Sequence, residues 1–169
     1  METENIKALE PWDAVRKKVS ELRSDYWGTP AEVAVMAAPI RKAKNRKEAT
    51  AILKEIAERS PFTSKSGLTA RLPRRSVGKL VSSVAVHSSF SAEAHYLAAA
   101  NIDKFFSNAI EPWLFELNPN KNNEGLKTRH YLFAPMEYQG QIALIKITVK
   151  EYYAEENKLY SIEALDLLQ

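Results

Sequence analysis

The chain has 169 residues, of which 45% are hydrophobic and 27% charged, with five Gly, eight Pro and no Cys. This composition excludes a collagen-like or low-complexity chain, and the missing Cys excludes disulfides, thiolate zinc sites and a cysteine nucleophile. No apolar run approaches the roughly 18 residues that span a bilayer, and the amino-terminal METENIKALE lacks the apolar core of a signal peptide, so the expectation is a cytoplasmic protein with no membrane partner.

The net charge of +3 is unevenly placed. Residues 41–80 hold twelve Lys/Arg against three Asp/Glu, whereas residues 1–40 hold five against seven and residues 81–169 hold seven against eleven. A basic block between two mildly acidic ones concentrates anions locally and suits a phosphate backbone. Arg41, Lys42, Lys44, Arg46, Lys65, Arg71, Arg74 and Arg75 are therefore the candidate nucleic-acid-binding residues, although such side chains also serve simply as solvated helix faces.

Taken in order, Pro11 opens a helix through Trp12 to Trp27, closed by Gly28. Thr29-Pro30-Ala31-Glu32 has the spacing of a capping box for a second helix. Asn45 and Glu48 have N-cap and N3 spacing for a third, with Ala49, Ile52, Ile56 and Ala57 as its stripe and an end near Ser60-Pro61. Leu68 to Leu72 alternates like a short strand, and Pro73-Arg74-Arg75-Ser76 reads as entry to a short helix with Ser76 as N-cap. Ser91 caps a long helix whose stripe is Ala94, Leu97, Ala98, Ile102, Phe105 and Ala109. Within it, Asn101 is expected to tie down a neighbouring backbone group.

After Pro112 the period changes to 2. Trp113 to Leu117 reads as a strand, residues 118–125 as a loop, and Arg129 to Met136 as a strand turned at Gln139-Gly140. Gln141 to Tyr152 is the clearest strand, rich in Val, Ile and Thr, and Leu159 to Leu167 is the last. Short connections imply an antiparallel meander. The predicted fold is α+β: N-terminal helices, then a C-terminal antiparallel β-meander of three to four strands packed on a long helix. The predicted organisation is a helical arm over 1–40 and an α+β domain over 41–169. On the clearest strand, Ala143, Ile145, Ile147 and Val149 define the core side. The other side, with Lys146, Thr148 and Lys150, is expected to be a polar, cationic face able to seat a phosphodiester.

There is no phosphate-binding Gly loop, G-x-S-x-G elbow or H-E-x-x-H. The histidines His87, His95 and His130 show no metal-ligand spacing, and the acidic pairs are too scattered for a two-metal nuclease; no metal or cofactor is expected. Metal-independent RNA cleavage needs a base, an acid and cations for the developing phosphorane charge, tasks that His, Lys, Arg, Tyr and Thr can share.

Four stretches carry a family resemblance. They are Gly67-Leu68-Thr69-Ala70-Arg71-Leu72 leading into Arg75-Ser76-Val77-Gly78-Lys79-Leu80-Val81-Ser82; Glu93-Ala94-His95-Tyr96 through Phe105; Lys146-Ile147-Thr148-Val149-Lys150-Glu151; and Leu159-Tyr160-Ser161-Ile162-Glu163-Ala164. Over roughly residues 41–167 the chain resembles the large polyvalent protein-associated domains of phages and conjugative elements. Those are similar to the barnase/EndoU/colicin/RelE-like nuclease fold. The resemblance implies matching functional positions at Lys79, where Lys stands in place of a basic or histidine residue, and at His95, Asn101, Thr148 and Tyr160.

The resulting expectation is a metal-independent ribonuclease domain. Lys79 would hold the phosphate, His95 or His130 would move protons, Arg129 and Lys146 would steady the anion, and Thr148 and Tyr160 would orient the substrate. The alternative is a non-catalytic module of the same fold that binds nucleic acid or a protein. A third reading is a toxin-like chain whose residues 1–40 form an arm that packs on the core or on a second copy, and those residues are also the expected contact for a protein partner.

Overall fold

The computed structural model describes residues 4–7, 27–111, 113–116, 126–154 and 157–168, with side chains chiefly over 27–111 and 129–152. The expected helix over 12–27 and the loop over 118–125 lie outside the described residues, apart from Trp27 at the end of the former. The architecture is mixed α+β, with a helical layer on one face of a three-stranded antiparallel sheet.

The helix starts follow side-chain chemistry that satisfies otherwise orphaned N–H groups. Helix α1 (Pro30–Ala37) starts where Thr29 Oγ1 accepts the Glu32 N–H at 3.2 Å. Helix α2 (Arg46–Arg59) starts where Asn45 Oδ1 accepts the Glu48 N–H at 2.9 Å. Its buried side is Ala49, Leu53, Ile56 and Ala57, so Leu53 takes the core place expected of Ile52, which is only half-buried. Strands β2 (Phe62–Thr63) and β3 (Thr69–Ala70) form a small hairpin.

Helix α3 (Arg74–Leu80) begins three residues earlier than expected, with Pro73 at the cap position in place of Ser76, which is buried inside it. Proline pre-sets the backbone for a helix entry without a side-chain acceptor. A short helix α4 (Ser83–His87) follows, capped by Ser82.

The expected long helix is two helices. Ser91 caps α5 (Ala92–Ala100), and α6 (Ile102–Asn108) starts after Asn101, whose backbone leaves the helical region at φ −124°, ψ 22°. The reason is local. The Asn101 amide, fully buried, accepts from the Ile40 and Arg41 N–H groups at 3.0 and 2.8 Å. It donates to the carbonyls of Arg41 and Leu97 at 2.9 and 2.8 Å. A side chain engaged with a separate segment competes with the helical ladder at its own position. Lys104 of α6 donates to the Val35 and Ala38 carbonyls, the last acceptors of α1, and burial lowers its pKa.

The main sheet has the order β5 (Leu126–Tyr138), β6 (Gln141–Ala154), β7 (Asn157–Leu168). Gln139 (φ 51°) and Gly140 (φ 78°) make the two-residue turn between β5 and β6, the left-handed pair that matches the twist of a hairpin. Strand β7 carries a bulge, so that Thr148 pairs with Ala164 but Val149 with Ile162. The extra residue lets Ile162, Leu165 and Leu167 share one face. That face, with Leu132, Ala134, Ile145, Ile147 and Val149, packs on Leu53, Ile56, Leu80, Phe105 and Phe106 from the helices. Each such large side chain contributes roughly 1.5–3 kcal/mol on leaving water.

Beside this core, β1 (Glu4–Lys7) pairs in parallel with β4 (Trp113–Glu116), a partnership the sequence reading did not include. Trp27 is buried and donates its indole N–H to the Asn108 carbonyl at 3.0 Å.

Candidate functional site

The basic segment runs from the entry of α2 through the β2–β3 hairpin to α3. Helices α2 and α3 pack on each other, and α3 packs on β7. Lys42, Lys44, Arg46, Lys65, Arg71, Arg74, Arg75 and Lys79 are all exposed. From Lys65 to Ala92 the chain carries five Lys/Arg and no Asp or Glu, so the charge along that run of sequence is wholly positive. Arg71 is anchored by its backbone. Its N–H donates to the Tyr160 carbonyl at 2.9 Å, and its carbonyl accepts the Ile162 N–H at 2.8 Å, attaching the segment to the outer edge of β7.

Arg41 is a correction to the basic set. Its guanidinium is bidentate on Asp103 at 2.7 and 2.9 Å and donates to the Ala100 carbonyl at 3.1 Å. The hydrogen bond to Asp103 raises the Arg41 pKa against the opposing effect of burial. Burial alone would raise the Asp103 pKa, but Arg41 and the Lys104 N–H hold it below the usual carboxylate value. Arg41 thus fastens the chain to the break between α5 and α6.

The seven residues expected to catalyse do not form one site. His95 on α5 is fully buried. Its Nε2–H donates to the Leu80 carbonyl at 2.6 Å. Its Nδ1 lies 2.7 Å from the Ser89 hydroxyl, which itself accepts the Leu167 N–H at 2.9 Å. Both ring nitrogens therefore join α5 to the ends of α3 and β7, which leaves no proton for substrate chemistry.

Lys146 and Thr148 face away from the helical layer, and that face is not the open cationic surface expected. Phe133, Leu144, Lys146 and Thr148 are 0–8% exposed. Lys146 Nζ sits 5.5 Å from the centroid of the Tyr131 ring, a cation–π distance. Arg129 shares this face by register, opposite Lys150. Lys79, in the helical layer, is on the other side of the sheet from Lys146. The cleft expected to join the two is therefore not formed.

His130 and Tyr160 do come together, with two residues the sequence reading did not select. His130 Nδ1 lies 2.6 Å from Glu111 Oε2, and His130 Nε2 lies 2.9 Å from Glu151 Oε1. Tyr160 pairs with Glu151 across the sheet, and its ring centroid is 5.7 Å from that of His130. Burial alone would lower the His130 pKa. The hydrogen bonds and charges of Glu111 and Glu151 outweigh it, and the pKa is raised. The charged form is thus favoured over that of a free histidine by a carboxylate at each nitrogen. The two carboxylates share the one imidazole as hydrogen-bond donor; among the described residues no group of His, Asp and Glu is arranged to hold a metal ion. Glu151 was findable, because it continues the buried alternation 143, 145, 147, 149 by one step. Glu111 sits in irregular chain between α6 and β4 and carried no such signal.

Among the described residues no helix is long and apolar enough to cross a membrane. The fold is a mixed α+β domain whose helix α3 carries the exposed cations Arg74, Arg75 and Lys79. The chain belongs to the large polyvalent protein-associated domain 3 family, whose model matches residues 40–160. No curated protein and no solved structure gives a significant match.

Proposed function

We propose that this domain is a nucleic-acid-binding module of a phage or mobile-element polyvalent protein, docking on a phosphate backbone, RNA in the first place, through Lys65, Arg71, Arg74, Arg75 and Lys79. The observation that carries this reading is the run of exposed cations with no intervening carboxylate between Lys65 and Ala92. Backbone neutralisation of this kind supplies sequence-independent affinity and strong salt dependence. The nuclease-like fold is part of the same proposal, here serving as a scaffold rather than a catalyst.

A second reading, metal-independent RNA cleavage, is favoured by one observation: the grouping of Glu111, His130, Glu151 and Tyr160. A carboxylate would take the 2′-hydroxyl proton and the His130 imidazolium would protonate the leaving 5′-oxygen. Both Glu–His hydrogen bonds would have to open for that.

Labelled RNA incubated with the protein in chelator separates the two. Binding that weakens with salt, with the RNA left intact, supports the module. Cleavage that disappears in His130→Gln and Glu151→Gln supports the enzyme. Neither binding nor cleavage overturns both.

A further inference from the structure

Two adjoining clefts lie at the junction of α4, α5 and the β5–β6 hairpin, away from the His130 cluster. The larger, about 560 Å³, is lined by Phe90, Glu93, Tyr138, Gln139 and Gln141. The smaller, about 430 Å³, is lined by Arg46, Ser83, His87, Phe90 and Tyr96. Phe90 and Ser91 belong to both, so the Phe90 ring is the ridge between them.

Phe90 is 38% exposed, more than any other Phe, Tyr or Trp whose side chain is described. It is braced rather than loose, with its ring packed edgewise on Tyr138 at 6.1 Å. Arg46 is steadied at the far wall by its hydrogen bond to Ser83 at 3.1 Å. Leaving a large aromatic ring partly in water forgoes burial energy, and a flat partner of matching shape would recover it.

The chemistry around the ridge is divided. Amides and a carboxylate lie on one side, groups that pair with the amino and ring-nitrogen edges of a base. A guanidinium, an imidazole and hydroxyls lie on the other, groups suited to a phosphate. An unpaired nucleotide has the same division: a π-face, a hydrogen-bonding edge and an anion. The larger volume also lies within the roughly 300–1,000 Å³ of ordinary ligand sites.

We infer that the double cleft around Phe90 captures one unpaired nucleotide, stacking its base on Phe90, reading the base edge with Gln139, Gln141 and Glu93, and holding its phosphate at Arg46. This rests on the nucleic-acid-binding reading above and adds to it a preference for single strands. Arg46 belongs to the same basic segment, which makes the cleft continuous in sequence with the proposed backbone-binding face.

The test compares the full chain with Phe90→Ala and Gln141→Ala, using an oligoadenylate dodecamer, a double-stranded RNA of equal phosphate number, and adenosine 5′-monophosphate. Base–aromatic stacking is worth about 1–3 kcal/mol, so Phe90→Ala should weaken dodecamer binding about 5-fold to 100-fold or more and leave duplex binding unchanged. Amide resonances of Phe90, Ser91, Gln139 and Gln141 should shift on titration with the mononucleotide if the site acts alone. Shifts seen only with the dodecamer assign the site to a nucleotide held within a strand. Phe90→Ala, being a surface change, should keep the parent melting temperature. Dodecamer binding unaffected by Phe90→Ala overturns this inference, even where salt-sensitive binding through α3 survives. Loss of all RNA binding in the unmodified chain overturns the broader reading instead, and mononucleotide shifts at Phe90 would then sustain the cleft by itself.

Discussion

Asn101 grips the backbone of Arg41 at both ends of one residue, accepting its N–H and donating to its carbonyl. One fully buried amide thereby joins the segment entering α2 to the break between α5 and α6. Replacing it by Ala strands the Ile40 and Arg41 N–H groups and the Arg41 carbonyl. Each unsatisfied buried group costs about 1–3 kcal/mol, so Asn101→Ala should destabilise the domain by at least about 3 kcal/mol. Urea unfolding followed by circular dichroism would show a lower midpoint at unchanged slope; an unchanged midpoint would refute the role.

The His130 cluster predicts a stability that falls as pH rises above the ordinary histidine value. A raised folded pKa means that the native state holds its proton more tightly than the unfolded chain. The stabilisation is complete below the unfolded value of about 6.5 and is lost as pH rises through the folded value. The slope from this group cannot exceed about 1.4 kcal/mol per pH unit. His130→Gln should flatten the decline above about pH 6.5. Asp103 predicts the opposite limb: its lowered pKa contributes stability above its unfolded value, lost as pH falls through the folded one. Stability measured from acid to alkaline pH in the parent, His130→Gln and Asp103→Asn would resolve the two limbs.

Lys146 is expected to act on folding rather than on RNA. It is 8% exposed, over the Tyr131 ring, on the sheet face turned away from α3. Lys146→Ala should lower stability by about 1–3 kcal/mol, through lost packing and a lost cation–π contact, while RNA affinity stays at the parent value. A fall in affinity without a fall in stability would return Lys146 to the binding surface.

Arg74, Arg75 and Lys79 should set the salt dependence. Each phosphate contact to a single strand adds about 0.7 to the slope of log affinity against log salt. The triple Ala variant should lose about 2 from that slope with no change in melting temperature beyond a degree or two. An unchanged slope would move the binding face elsewhere.

How much of this was legible beforehand can be traced residue by residue. Thr29, Asn45 and Ser91 announced their helices because a cap is a local transaction, completed within three residues. Gln139-Gly140 announced its hairpin, and the alternation from Ala143 to Val149 announced the core face of β6, for the same reason: backbone geometry alone dictates them. The break at Asn101 was not legible, because the helical pattern runs through it and its cause is a segment 60 positions away. Nor was the bulge in β7, which moves Leu165 to the face of Ile162 against simple alternation.

The candidate sites divide along the same line. Charge placement is a property of composition, and the exposed basic run from Lys65 to Lys79 could be read from the letters. Proximity is not such a property. Glu111, His130 and Glu151 stand 19 and 21 positions apart; His130 meets Glu151 because β5 and β6 pair in one register, and Glu111 joins them because Ile110 bridges to Phe133 of β5. His95, a proton carrier by type, became a structural tie because the Leu80 carbonyl and the Ser89 hydroxyl arrived at its two nitrogens. The sequence by itself determined where the helices capped by Thr29, Asn45 and Ser91 start, where the β5–β6 hairpin turns and where charge accumulates, since those depend on neighbours along the chain. Only the tertiary structure decided which polar groups share a space and which are sealed from solvent, because burial and pairing arise between segments whose separation in sequence carries no information about their separation in space.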